Sequence, residues 1–245
     1  GSLEDNVTLS DYLAKTIVMR TNSRIAYKTN YRTQMNTAPY KKGSNIMVPI
    51  EEATKGFFAD SGFDTITKTQ HISLNSNNVK IRADKNYMVI NGEKVRTDTP
   101  PALKRGTMYV SLTDAGTALN KDTFYDKQTG IILITQRDHF PGGDAIGEVV
   151  REAVGLYDEF RLPSAKVYIS HNAKMNGKGT LKSPFATIEQ AQAHVKKLLK
   201  EGKTGNITVY LRGGTYYLDK ALKFGSEDSP KGNYTVTYKN YKNEQ

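Results

Sequence analysis

Four histidines, His71, His139, His171 and His194, are the side chains best suited to hold a metal such as copper, and their spacing argues against it. No two lie closer than 23 positions, so the chain has neither a His-x-His nor a His-x-x-x-His ligand pair. Cysteine is absent, which removes disulfides and thiolate metal sites. Glu227-Asp228 is a local carboxylate pair of the type that glycoside hydrolysis employs. Adjacent residues of an extended chain point to opposite faces, however, so the pair reads as part of a turn. Pro141-Gly142-Gly143-Asp144, at a helix start, is suited to an anion but reads as a plain cap. The Gly-x-Ser-x-Gly elbow and the Gly-x-x-x-x-Gly-Lys-Ser/Thr phosphate loop are both missing. The expectation is a chain with no catalytic residues of its own, no metal and no cofactor.

Charge offers a different chemistry. The formal net charge is +10, with 37% hydrophobic residues and a mean hydropathy of -0.59. Residues 1–165 carry a net of +2 and residues 166–245 a net of +8. So concentrated a basic segment attracts polyanions, and Lys196, Lys197, Lys200 and Arg212 are the candidate contacts. The plain alternative is a solvated lysine face. Tyr216 and Tyr217 alternate faces of a strand, so one of them is placed to stack on a sugar, with core packing as the default. No nucleic-acid module signature accompanies the charge, so nucleic acid is not an expected partner. No run approaches the roughly 18 apolar residues of a membrane span.

The elements that must position these groups begin with an internal repeat. Residues 16–74 and 78–134 align at an offset of about 62, with one-residue slips. Ala38-Pro39 matches Pro100-Pro101, Lys41-Lys42-Gly43-Ser44 matches Lys104-Arg105-Gly106-Thr107, and Val48-Pro49-Ile50 matches Val110-Ser111-Leu112. Ile72 and Leu74 match Ile132 and Ile134. Each copy opens with extended stretches, such as Tyr87–Ile90 and Glu93–Val95 around the hairpin signal Asn91-Gly92. A short strand then runs into a brief helix, Glu51–Ala59 or Thr113–Leu119, and a hairpin closes the unit. Ile131–Ile134 is too apolar to have a wet face.

This tandem β-β-α-β-β pattern, with Val48-Pro49-Ile50 leading into the helix, resembles the copper amine oxidase-like N-terminal domain over about residues 14–136. The resemblance implies an exported protein of a Gram-positive bacterium. The usual Val-Pro-Leu-Arg becomes Val48-Pro49-Ile50-Glu51 and Val110-Ser111-Leu112-Thr113, and the usual Trp-Asp becomes Phe63-Asp64 and Tyr125-Asp126. An amine oxidase builds its quinone from Tyr in an Asn-Tyr-Asp/Glu context. Here Asn precedes Tyr31, Tyr87, Tyr234 and Tyr241, but Arg, Met, Thr and Lys follow, so amine oxidase activity is not expected.

Residues 137–165 read as a helical linker, with Asp144 capping a helix that runs to about Phe160. Residues 166–245 then give a strand at Val167–Ser170, a polar loop, and a helix over Ile188–Leu199. Thr187 and Gln190 form a capping box for that helix, and Gly202 stops it. Strands are expected at Ile207–Leu211, Thr215–Leu218, Ala221–Phe224 and Tyr234–Tyr238. Gly179-Thr180, Pro184-Phe185-Ala186-Thr187 and Tyr210-Leu211-Arg212-Gly213-Gly214-Thr215-Tyr216 resemble the opening of a pectate-lyase-like right-handed parallel β-helix. Where such relatives carry an Asp-containing run, this chain has His171-Asn172 and Asn176-Gly177, so no calcium site is expected there.

The expected fold class is therefore α+β: a tag and lead-in at 1–13, the tandem module at 14–136, the linker, and the helix-capped first strands of a β-helix at 166–245. The resemblances imply the non-catalytic N-terminal part of a large secreted polysaccharide-degrading hydrolase or lyase. It would be extracellular or cell-wall associated, with a polysaccharide or cell-wall polymer as partner, and self-associating through an open β-helix edge. The alternative is a structural or adhesion protein of the cell surface.

Overall fold

A computed structural model describes residues 9–137, 146–147, 150, 155–214 and 234–242. The chain divides into two compact units, Gly1–Gly147 and Glu148–Gln245, and its class is mixed α+β with sheets predominating.

In the first unit a short helix α1 (Leu9–Leu13) precedes the first repeat. That repeat contains β1 (Thr16–Arg20), β2 (Ile25–Lys28), β3 (Tyr31–Gln34), β4 (Tyr40–Lys42), β5 (Asn45–Pro49), α2 (Ile50–Gly56), β6 (Asp60–Asp64) and β7 (Thr69–Leu74). The second repeats the order as β8 (Asn77–Arg82), β9 (Tyr87–Ile90), β10 (Glu93–Arg96), β11 (Ala102–Lys104), β12 (Thr107–Ser111), α3 (Leu112–Leu119), β13 (Lys121–Asp126) and β14 (Ile131–Gln136). Each copy thus has more strands than the β-β-α-β-β pattern implies. β4 and β11 span three residues each, too short to show a period of two.

The repeats exchange strands. Sheet I runs β13-β14-β1-β2-β3 and sheet II runs β6-β7-β8-β9-β10, so each joins the closing hairpin of one repeat to the opening strands of the other. Sheet III, β11-β12-β5-β4, pairs the two strands that lead into the helices. A fixed offset of 62 relates the ladders. Ile17 faces Ile134 as Val79 faces Ile72, and Asp64 faces Thr69 as Asp126 faces Ile131. Val48 directly opposes Val110 at the centre of sheet III, where a pseudo-dyad must pass. The sequence slips therefore vanish from the ladders. Ile72 is equivalent to Ile134 rather than Ile132, and Lys42 rather than Lys41 to Lys104. Runs of similar residues, Lys-Lys and Ile-Ile-Leu-Ile, let a sequence alignment slide where hydrogen-bonded register does not.

One core links all three sheets and both helices. It includes Ile17, Met19, Val48, Ile50, Ala53, Ile81, Met88, Val110, Leu119, Ile132 and Ile134. The helices end in the left-handed region at equivalent positions, Asn120 (φ 53°) and Phe58 (φ 57°). Asn tolerates that conformation, whereas a bulky residue is strained in it. Ser111 caps α3 by accepting the Asp114 N–H at 3.0 Å. The Asp114 carboxylate accepts the Asp98 N–H at 2.9 and 3.0 Å, and burial nonetheless holds it above the usual Asp range. Its equivalent Glu52 instead pairs with Lys28 at 2.7 Å.

Phe58 is 89% exposed, so its ring returns little for the backbone strain. Phe58→Asn is expected to raise unit stability by about 1 kcal/mol, read as a higher urea midpoint. Ile134→Ala, in the pair that closes sheet I, is expected to lower stability by about 2–5 kcal/mol. An unchanged midpoint for the second variant would show that β14 adds nothing to the module.

Candidate functional site

The second unit is built around a parallel ladder. β15 (Ala165–Ile169), β16 (Ile207–Leu211) and β17 (Val236–Asn240) lie side by side in chain order, all parallel. The register sets Val167 beside Val209 and Tyr238, and Tyr168 beside Tyr210 and Lys239. The β17 bounds differ slightly from the expected Tyr234–Tyr238. Tyr234 sits before the strand, where its hydroxyl accepts the Leu162 N–H at 2.9 Å. The strands expected at 215–218 and 221–224 lie outside the described residues. The described residues hold three parallel strands in a single sheet, not the coils of a β-helix.

Helix α4 (Ile188–Glu201) packs on one face of this sheet. Both halves of the capping box form: Thr187 Oγ1 accepts the Gln190 N–H at 3.2 Å, and Gln190 Oε1 accepts the Thr187 N–H at 3.2 Å. Gly202, at φ 69°, ends the helix. Ala191 and Val195 meet Val167, Ile169, Ile207 and Val209 in a small buried core. The loop before the helix covers the outer edge of β15. Tyr168 N–H donates to the Gly179 carbonyl at 2.8 Å, Phe185 N–H to the Tyr168 carbonyl at 2.9 Å, and Ser170 N–H to the Phe185 carbonyl at 2.9 Å. That pairing satisfies an edge that would otherwise recruit another strand. Of the linker helix expected up to Phe160, the described residues 146, 147 and 150 are α-helical, whereas the chain turns or bends over Gly155–Tyr157 and Asp158–Phe160 form a short 3-10 helix.

The period of two puts the other side chains on the face away from α4. Tyr168 and Tyr210 stack at 5.3 Å between centroids, and Tyr241 meets them edge-on at 5.6 and 5.5 Å. Cations surround the cluster: Arg212 lies 4.9 Å from the Tyr241 ring centre, Lys242 5.2 Å from the same ring, and Lys239 5.5 Å from Tyr210. An open groove of about 610 Å³ is lined by Lys166, Tyr168, Tyr210, Lys239, Asn240, Tyr241 and Lys242. None of these residues is acidic. The face can hydrogen-bond through phenol hydroxyls and attract anions.

Of the residues expected from the sequence, only Arg212 is brought to this face. Lys196, Lys197 and Lys200 are exposed on α4, which lies against the sheet's other side. Tyr216, Tyr217, His139, Glu227, Asp228 and the segment 141–144 lie outside the described residues. The residues that the sequence reading passed over are Lys166, Tyr168, Tyr210, Lys239, Tyr241 and Lys242. For the two strand tyrosines the signal was the shared pattern of Val167-Tyr168-Ile169 and Val209-Tyr210-Leu211, a Tyr between two apolar residues in each strand.

A second groove, of about 860 Å³, lies in the first unit on the outward face of sheet II, lined by Asp60, His71, Ser73, Asn78, Lys80 and Val89 among others. The remaining described histidines are dispersed. His194 packs edge-on to Phe185 at 5.5 Å, and His171 lies where a side chain at Gly214 (φ 134°) would stand. Among the described residues no group of three His, Asp or Glu side chains is placed to hold a metal. No described helix is long and apolar enough to cross a membrane.

Residues 28–134 match the family profile of the copper amine oxidase N-terminal domain. No curated protein matches the chain. One solved structure to which it is similar is described as a glycoside hydrolase, at 26% identity over 34% of this chain and 14% of that one, with a TM-score of 0.31. The chain spans only that 14% of its length.

Gly177 tests the loop that seals β15. A methyl group there would collide with the Pro184 carbonyl, a backbone group that cannot turn aside. Gly177→Ala is expected to destabilise the second unit by about 1–3 kcal/mol and to raise self-association as the β15 edge opens, read by light scattering. A fully monomeric variant with an unchanged melt would show that the seal is dispensable.

Proposed function

We propose that this chain is the non-catalytic N-terminal part of a large exported polysaccharide-degrading protein. The tandem module acts as a spacer or anchor, and the second unit opens a parallel solenoid. The observation that carries the reading is the ladder β15-β16-β17: parallel strands in chain order, joined by long connections, with the first edge sealed by its own loop and one face covered by a capped helix. Solenoids begin this way because each coil buries its apolar side only against the next, and the first one needs a cap. The profile match over 28–134 supports an accessory role for the first unit. A cell-wall or extracellular location belongs to the same proposal.

The face away from α4 is suited to retaining a glycan, and its lining residues include no carboxylate pair of the type that glycoside hydrolysis employs. The same feature suits the second reading, a surface adhesion protein. The expected outcome with pectin, alginate, xylan and heparin is no turnover by this chain, measured as reducing ends and as absorbance of unsaturated products. Product above a heat-inactivated control, abolished by a point substitution in the chain, would overturn the non-catalytic reading.

A further inference from the structure

We infer that the tyrosine–lysine face of the parallel sheet binds an anionic polysaccharide lying across the strands, with one acidic unit per strand. This inference rests on the carbohydrate-associated reading above and adds the ligand class and the residues.

Ring orientation decides between neutral and acidic sugars. Tyr168 and Tyr210 turn their faces toward each other, with 23° between the ring planes. Tyr241 sits edge-on to both, at 75° and 81°, and its own ring has Arg212 and Lys242 beside it. A neutral pyranose needs a free aromatic face on which to lay its apolar side. With Lys239 over the Tyr210 ring and Arg212 and Lys242 over that of Tyr241, a ligand at these two rings meets charged groups and hydroxyls. Those groups recognise carboxylates or sulfates, through charge-assisted hydrogen bonds.

Register decides the direction. Tyr168, Tyr210 and Lys239 occupy the same level of three adjacent parallel strands. Polar groups therefore recur at the inter-strand spacing of about 4.8 Å, perpendicular to the strands. Lys166 stands on the same face of β15 two residues before Tyr168, and Lys242 follows Tyr241 just past β17, so the row has cations at both ends. A linear polymer with one charge per sugar matches that periodicity better than a point anion does. The absence of acidic lining residues, together with the +8 excess of residues 166–245, supplies the charge complementarity.

The test uses the whole chain with three immobilised polymers: polygalacturonate, heparin and neutral dextran. A 20-base-pair DNA duplex is the competing polyanion. The expected result is retention on the two acidic polysaccharides that weakens with salt, because exposed charges are screened over about 8 Å at physiological ionic strength. Lys239→Gln with Lys242→Gln is expected to lower affinity roughly tenfold. Tyr168→Phe with Tyr210→Phe, which keeps the rings and removes the hydroxyls, is expected to lower it as well. The triple Lys196→Gln, Lys197→Gln, Lys200→Gln variant removes one charge more, on α4, and is nonetheless expected to stay within about twofold. The substituted lysines are exposed, so every lysine variant should remain folded at the assay temperature, as checked by its melting curve.

Loss confined to the α4 variant would overturn the inference. So would DNA binding of equal strength with the same residue dependence, which would mark a generic polyanion surface. Dextran retention that ignores the face substitutions would overturn the inference while leaving the carbohydrate-associated reading intact. Failure to retain any polysaccharide would sink both.

Discussion

Residues 9–137 depend on one pairing, that of β14 with β1. Neither repeat contains a complete sheet. Each supplies three strands to one sheet and a closing hairpin to the other, so sheet II is continuous through the tight β7–β8 connection. Sheet I has no such covalent link at the equivalent place and is joined only by the ladder from Thr16↔Thr135 to Arg20↔Ile131. That ladder buries Ile17, Met19, Ile132 and Ile134 on the core side. Closing the two ends of a long chain costs loop entropy that rises slowly with length, so the run of three apolar pairs from Ile17↔Ile134 to Met19↔Ile132 offsets it. The continuous hydrophobicity of Ile131–Ile134 is the sequence's record of that requirement.

The same duplication yields two faces with opposite fates. Across sheet I the outward row is Phe124, Leu133, Val18, Tyr27 and Arg32, and across sheet II the equivalent row is Gly62, His71, Lys80, Val89 and Lys94. Leu133 and Val18 are 4% and 1% exposed, and α1 lies against β1, with Tyr12 and Leu13 buried. His71 and Lys80 are open to solvent, and Gly62 leaves a gap where its counterpart carries a phenyl ring. Equivalent backbones thus differ by whether a neighbouring element covers them, and the side chains follow. Only one of the two sheets needs a wet face.

Local signals carried much of this architecture into the sequence. The Asn91-Gly92 hairpin appears with both residues at positive φ, 52° and 83°, as a two-residue turn requires. The Thr187–Gln190 capping box and the Gly202 stop place α4 within two residues of its expected end. Strand exchange between repeats was not legible, because a hairpin's period tells which face is apolar and not which neighbour it joins. The tyrosine–lysine face was missed for a related reason. Its members are scattered from Lys166 to Lys242 and meet only through parallel register, which no local pattern encodes. Charge counting singled out residues 166–245 and, within them, the lysine cluster on α4, which an amphipathic helix places on its wet side by default.

In the second unit, sheet and helix divide the work of burial and exposure. Val167, Val209 and the α4 residues Ala191 and Val195 close the apolar side, which leaves Tyr168, Tyr210 and Lys239 aligned on the other. The inferred role of this alignment is that of a binding surface in addition to a stabilising aromatic stack. A titration of the isotopically labelled chain with an oligogalacturonate, followed by amide and side-chain resonances, tests that role. Shifts are expected to concentrate at Lys166, Tyr168, Tyr210, Arg212 and Lys239–Lys242, with those of Ile188–Glu201 nearly still. Shifts centred on Lys196, Lys197 and Lys200, with the tyrosine row unmoved at saturation, would contradict it.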